Sequence, residues 1–425
     1  MSIEIHGGFS NSSDQKVKDR TINIALAQVI PSEAGPHGTL DGNGPDTIEP
    51  GLQKMKRWIK EAAEQGADVV VFPEYFLTGA THEAWRKVKE VEATRRSDEG
   101  KREETEEEHW LSFVISTAKE YDIDVVAGTV VELGTDPNSG FGHSVRPGGD
   151  QVPQSDRIPH RDPDHHQHAP VENEGPETYK DQVPDLESNL YNTAYYVSRQ
   201  GRVEGRYTKR NLWHPERVTL SPATKDSHPD LIHPPVFTIT TKRGLRLRAG
   251  MAICWDLAFP EVFRRMVEEQ PPTNPTSSSS SSLDSNNSSP PSHRLSPDIV
   301  FVPTCWYLTD GGVQGFRWNP NSESDLLDSL CSTRAIENEC ILAMCNVSGP
   351  SPPQGFPESV LESLAEDEDQ GLPLIGLGRS TVCSPFLNVV ARLDRQDEAL
   401  LLCSVDTQVL KDSREVYRVR YDLID

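Results

Sequence analysis

Apolar and polar positions change their period repeatedly along this chain, and each change marks an element. INIALAQ (22–28) alternates as a strand does. Residues 51–65, GLQKMKRWIKEAAEQ, place Leu52, Met55, Ile59, Ala62 and Ala63 at helical spacing, with Gly66 as a C-terminal stop. ADVVVF (67–72) is a short unbroken apolar run, the pattern of a strand buried on both faces.

The same order recurs. An acidic stretch at 87–108 leads into a helix, WLSFVISTAKEY, and a strand, IDVVAGTVV (123–131). YNTAYYVS and GRVEGRY, joined by a tight turn through Arg199, Gln200 and Gly201, read as a β-hairpin. RLRAGMAIC is a strand, PEVFRRMVEE a helix, PDIVFVP a strand, DLLDSLCSTRAIENE a helix and ECILAMCNV a strand. Strands near 379–384, 388–393 and 400–405 follow. Helices alternating with strands, plus hairpins, predict one layered α/β domain. It spans 21–405, with a disordered leader at 1–20 and a tail at 406–425. Three segments break the repeat: 133–187, rich in Pro, Asp and His; 270–297, with its serine run; and the acidic 350–372. The strands flanking them are alike in character, so these are expected to be insertions within the domain.

Composition narrows the function. Of 425 residues, 35% are hydrophobic and 25% charged, which is the globular range. A net charge of −24 repels nucleic-acid phosphates and anionic membrane surfaces, so neither is expected as a partner. The first 20 residues hold no apolar stretch of a signal peptide, and no run approaches a membrane span. Seven scattered cysteines without a CxxC pair suit reduced thiols, and a cytoplasmic location is expected. The cluster HRDPDHHQH (160–168) could hold a metal weakly but reads as a solvated loop.

One cysteine stands apart. In GMAICWDLAFPE (250–261), Cys254 ends an apolar strand and Pro260 sits where a helix starts. A thiol at that junction is expected to feel the helix dipole and to have a lowered pKa. The backbone N–H of Trp255 could face an oxygen bound beside the sulfur. The thiol needs a base, and the only histidine at a plausible strand end is His214. A carboxylate is the other route: VVVFPEY (69–75) closes a buried strand on Glu74. GRYTKRNLWHPE (205–216) puts Lys209 after a hairpin strand, with Glu216 placed to fold back on it. The bland readings remain beside these: a core cysteine, a capping glutamate, a surface lysine.

Taken in order, Glu74, Lys209 and Cys254 resemble the Glu–Lys–Cys triad of the carbon–nitrogen hydrolases, the nitrilase superfamily. The resemblance extends to RAIENECILAMCNVSG (334–349) and GRSTVCSPFLNVVARL (378–393). It departs from that pattern at Ala258, where many members have Arg, and near Leu387, where many have Gly. The resemblance implies a four-layer α-β-β-α sandwich. It also implies a proton acceptor at Glu74, an oxyanion stabiliser at Lys209, a nucleophile at Cys254 and an orienting residue at Glu216. Trp255 and Trp306 are the expected substrate contacts, and no cofactor or metal is implied. The substrate would be a small amide, with the CWD at 254–256 favouring an amidase over a nitrilase. An N-carbamoyl hydrolase and a non-catalytic binding protein of the same fold stay open. At least a homodimer is expected.

Overall fold

The structure is a computed structural model that describes residues 2–6, 15–31, 49–88, 106–134, 190–224, 236–267, 296–349 and 374–422. Strands β1 (Ser2–His6) and β2 (Thr21–Gln28) flank α1 (Gln15–Asp19). Helix α2 (Glu49–Glu64), β3 (Val69–Val71), α3 (Glu106–Glu120), β4 (Asp124–Leu133), β5 (Leu190–Val197) and β6 (Val203–Thr208) follow. Next come β7 (Phe237–Thr240), β8 (Arg246–Met251), α4 (Pro260–Val267), β9 (Ile299–Pro303), α5 (Gly312–Trp318), α6 (Ser322–Glu337) and β10 (Ile341–Cys345). The described chain closes with β11 (Thr381–Ser384), β12 (Asn388–Arg392), β13 (Ala399–Asp406), α7 (Gln408–Val416) and α8 (Val419–Asp422).

The strands form two mixed sheets, ordered β1-β13-β2-β3-β4-β5-β6 and β12-β11-β10-β9-β8-β7. The period of two in β2 sorts its side chains between two cores. Ile22, Ile24 and Leu26 join Ala249, Met251, Phe301 and Ala343 of the second sheet. Ala25 and Ala27 face the other way, onto Leu52, Met55 and Ile59 of α2 and Trp110 and Val114 of α3. Helices α2 and α3 thus cover the first sheet, and α6 lies on β10 and β11 of the second. The layers are α-β-β-α, as the resemblance implies. Gly66 ends the turn after α2 with φ +82, and the N–H groups of Gly66 and Ala67 close onto Ala63 and Ala62 carbonyls.

Both ends of the chain differ from their sequence reading. Residues 2–6, expected in a disordered leader, form β1, paired in parallel with β13 along Ser2–His6 and Ala399–Cys403. Within the expected tail, helices α7 and α8 bury Leu410, Ser413 and Arg420. Arg420 donates to the carbonyls of Pro297 and Asn338, contacts distant in sequence that local periodicity does not register. The insertions expected at 133–187, 270–297 and 350–372, and the His cluster at 160–168, lie outside the described residues except at their edges. No helix among the described residues is long and apolar enough to cross a membrane.

Candidate active site

Strands of both sheets deliver the site from their C-terminal ends. Beyond β3, residues Phe72 and Pro73 carry Glu74 toward the second sheet, where its N–H donates to Thr304 O at 3.3 Å. Gly128 makes this turn possible. The register of β4 slips between Val126 and Thr129. Gly128 sits there at φ +73, where a Cβ would lie 2.1 Å from Pro73 O. Thr129 Oγ1 then accepts the Tyr75 N–H at 2.9 Å.

Lys209 follows β6 and is fully buried. Its Nζ donates to Glu74 Oε1 at 2.8 Å and to Glu216 Oε1 at 2.7 Å. Glu216 lies in a 3-10 turn, His214–Val218. Its Oε1 also takes the Tyr75 hydroxyl at 2.5 Å, and its Oε2 the Trp213 N–H at 2.7 Å. Glu74 is filled in the same way: Asn192 Nδ2 donates to Oε1 at 2.7 Å and the Cys305 N–H to Oε2 at 2.9 Å. Buried charges are tolerated when paired and hydrogen-bonded to this degree, and removing one partner of such a pair typically costs about 3–5 kcal/mol.

Cys254 does not end a strand. β8 stops at Met251, and Cys254 opens a 3-10 turn, Cys254–Ala258, at φ +44. Side chains other than glycine rarely adopt that left-handed region, so the surroundings must hold it. Asp256 does so. Its Oδ2 accepts from Ile253 N at 3.1 Å and Tyr207 OH at 2.8 Å. Its Oδ1 accepts from Asn211 N at 3.0 Å and Nδ2 at 2.9 Å. One carboxylate therefore ties the cysteine turn to the end of β6, which carries Lys209.

One ammonium between two carboxylates leaves excess negative charge in a buried place. Burial pushes the Glu74 carboxyl up to about 7, with Lys209 pulling against the rise and Glu216 adding to it. Burial lowers Lys209, but Glu216 and Glu74 outweigh it and hold the ammonium protonated well above its ordinary range. The lowered thiol pKa expected at Cys254 is corrected here. Burial raises it well above the usual value, Glu74 adds to the rise, and Lys209 opposes it. The reason is geometric: helix α4 begins only at Pro260, beyond the 3-10 turn that Cys254 opens, whereas the cysteine itself is buried. The polar contact of the Cys254 thiol is the Cys305 carbonyl at 4.0 Å, while Glu74 and Lys209 act on it electrostatically.

A cavity of about 310 Å³ opens over Cys254. Its walls are largely aromatic: Tyr75, Trp85, Trp213, Trp255, Trp306 and Tyr307. The Trp255 ring lies 4.5 Å from that of Trp213 and 5.6 Å from that of Trp306. Trp306 is clamped, its N–H on Asn346 Oδ1 at 2.8 Å and its indole N–H on Glu323 Oε2 at 2.6 Å. Glu216 also lines the cavity, while Glu74 and Lys209 lie behind the thiol. The structure thus brings Glu74, Lys209, Cys254, Glu216, Trp255 and Trp306 together. His214 is left out: it stacks on Trp213, with ring centroids 4.3 Å apart, and does not line the cavity. Sequence reasoning passed over Tyr75, Asn192, Asp256, Cys305 and Asn346. Tyr75 and Asp256 stand inside the motifs that were singled out, and Asn346 sits in the 334–349 segment. Asn192 carries no local signal. Among the described residues no three His, Cys, Asp or Glu side chains gather as metal ligands would.

The family model of the carbon-nitrogen hydrolases matches residues 24–144 and 176–278, over half of the chain. This chain belongs to the carbon-nitrogen hydrolase family. Its curated relatives include a 2-oxoglutaramate amidase of Bacillus subtilis, 22% identical over 56% of this chain and 64% of the relative. A probable nitrilase of Schizosaccharomyces pombe is 24% identical over 55% of this chain and 60% of the relative. The matched part thus spans less than two thirds of either relative. Among solved structures, Nit3 of Saccharomyces cerevisiae, a member of branch 10 of the nitrilase superfamily, aligns with a TM-score of 0.52. It is 18% identical and covers 93% of this carbon-nitrogen hydrolase chain and 94% of its own. An amidase from Nesterenkonia sp. aligns with a TM-score of 0.50 at 19% identity, covering 93% and 95%. These likenesses establish the fold that the two facing sheets display.

Proposed function

We propose that this protein hydrolyses the carbon–nitrogen bond of a small amide, with Cys254 as nucleophile, Glu74 as general base and acid, and Lys209 as oxyanion donor. The observation that carries the reading is the buried Lys209 ammonium bridging Glu74 and Glu216 beside a largely aromatic cavity lined by Cys254 and Glu216. Glu74 takes the Cys254 proton as sulfur attacks the amide carbon. A carboxyl near pH 7 is matched to that task, because about half of it is ionised there while its protonated form remains a usable acid. The negative charge that develops on the amide oxygen is met by Lys209 Nζ and the Trp255 N–H. The C–N bond breaks as Glu74 returns its proton to the departing nitrogen, leaving a thioester on Cys254. Water, deprotonated by Glu74, then cleaves the thioester to the acid and frees the thiol. Glu216 acts through Lys209, anchoring its head between Tyr75 and Trp213.

The test is a single turnover with an excess of enzyme over a small amide, quenched in acid and read by intact mass. An acyl adduct mapped to Cys254, with ammonia released in step, is expected. A mass shift on another cysteine, or none at any time, would sink the reading. The B. subtilis relative's name points to 2-oxoglutaramate, an anionic amide. Among the described residues no lysine or arginine lines the cavity to receive a carboxylate, which favours other amides. A homodimer and a cytoplasmic location remain part of this proposal.

A further inference from the structure

Two carboxylates line the cavity, Glu216 and Asp310. Glu216 is occupied by Lys209, Tyr75 and Trp213. Asp310 has no such company. It closes the turn beyond Trp306, its Oδ2 accepting the Tyr307 N–H at 2.8 Å and its own N–H donating to Tyr307 O at 3.3 Å. Among the described residues, the charged groups that act on it most strongly are Glu323 from α6, Glu216 and Glu74, with Tyr307 in the same turn, and none of these is a cation. Burial first, and then those carboxylates, push its carboxyl up to about 7. The lining imidazole, His82, is held below its ordinary pKa by burial and by Arg86, so it brings no compensating charge at neutral pH. Glu323 cannot swing away freely: its Oε2 takes the Trp306 indole and its carboxylate packs against Gly311.

We infer that Asp310 is a specificity residue, which selects amides carrying an ammonium group at the end of an apolar chain. This deepens the hydrolase reading and rests on it. An ammonium entering the cavity would find an uncompensated carboxylate in a poorly solvated place, where a charge-assisted hydrogen bond is at its strongest. A neutral apolar chain would cover Asp310 and add no donor to the Tyr307 N–H that it already accepts. A carboxylate-bearing amide would meet Asp310 and Glu216 together, and like charges at such range repel. The aromatic walls suit the methylene chain between the two ends, and the faces of Trp306 and Tyr307 add cation–π attraction for the ammonium.

The experiment uses the Cys254→Ala protein, so that binding is read without turnover. Calorimetry compares γ-aminobutyramide with its neutral isostere valeramide and with the anion succinamate, and the longer ε-aminocaproamide with heptanamide. The ammonium-bearing amide is expected to bind at least about tenfold tighter than its neutral isostere in one of the two pairs. Succinamate is expected to bind weakest. Adding Asp310→Asn, whose amide oxygen can still accept the Tyr307 N–H, should bring the ratio close to one. Equal affinity within both pairs, tighter binding of succinamate, or a ratio unmoved by Asp310→Asn would each overturn the inference. Ammonia release by the unmodified protein on the same panel is scored separately. Absent release with the binding ratio intact would fail the hydrolase reading and leave the Asp310 pairing standing.

Discussion

Cys254 and Cys305 follow neighbouring parallel strands, β8 and β9, on the same edge of the same sheet, and both line the cavity. Both are buried, and burial raises both thiols well above their ordinary pKa. What separates them is which part of the residue meets Glu74. Cys254, turned into the left-handed region at φ +44, has its thiol in the field of Glu74 and Lys209. Cys305 presents its backbone, donating its N–H to Glu74 Oε2, while its Sγ contacts Tyr307 OH at 3.2 Å. A buried thiol with a high pKa is thus not in itself a nucleophile. In the proposed mechanism the reactive thiol is that of Cys254, with Glu74 to take its proton and Lys209 to face its thiolate.

The largest effect expected is from Cys254→Ala, which should cut ammonia release by ~10⁴-fold or more with the circular dichroism spectrum unchanged. Retained activity would hand the role to Cys305 and erase the contrast. Glu74→Gln comes next, at ~10²–10⁴-fold, since the base serves both half-reactions. The unmodified protein should show kcat/KM rising with pH through about 7, the Glu74 carboxyl value, because only the ionised form accepts the thiol proton. In Glu74→Gln that limb should vanish from the pH–rate profile. The same group has an opposite sign in stability. Its folded pKa stands above the ordinary 4.5, so its stabilising contribution is fully present below pH 4.5 and is lost as pH rises through about 7.

Asp256→Asn probes the turn that distinguishes the two thiols. An amide group would point a donor at Asn211 or Tyr207, which themselves donate, and the cysteine turn should drift. Small misplacements of this kind cost about 10²-fold in kcat. Asn346→Ala strikes the matching support on the other side, freeing the Trp306 N–H and the carbonyls of Trp306 and Gly378. It should lower stability by about 1–3 kcal/mol in urea unfolding and raise KM, while kcat stays within about tenfold. Cys305→Ala is the mildest, because the backbone N–H that holds Glu74 survives. A rate loss there as large as that of Asp256→Asn would mean the Cys305 sulfur takes part directly.

The layered α/β fold and most of its elements were legible from periodicity, because a buried strand and an amphipathic helix each leave a local pattern. The same reading failed at the ends of the chain. Strand β1 and the helices after β13 are placed by contacts with residues far away in sequence, such as those of Arg420 with Pro297 and Asn338. It also ran β8 on to Cys254, since Ala252 and Ile253 are as apolar as the strand before them.

What the sequence supplied was the motifs whose resemblance to the family marked Glu74, Lys209, Cys254 and Glu216 as one expected set and Trp255 and Trp306 as expected contacts, because residue types and their chain order can be read without the fold. Charge state, by contrast, is collective. Only the folded protein decided that the Cys254 thiol has a raised pKa, that Glu74 titrates near neutrality and that Asp310 lines the cavity with no lysine or arginine beside it among the described lining residues. Each of these depends on which groups from distant strands share one poorly solvated space, and desolvation and Coulomb energy are set by that three-dimensional proximity.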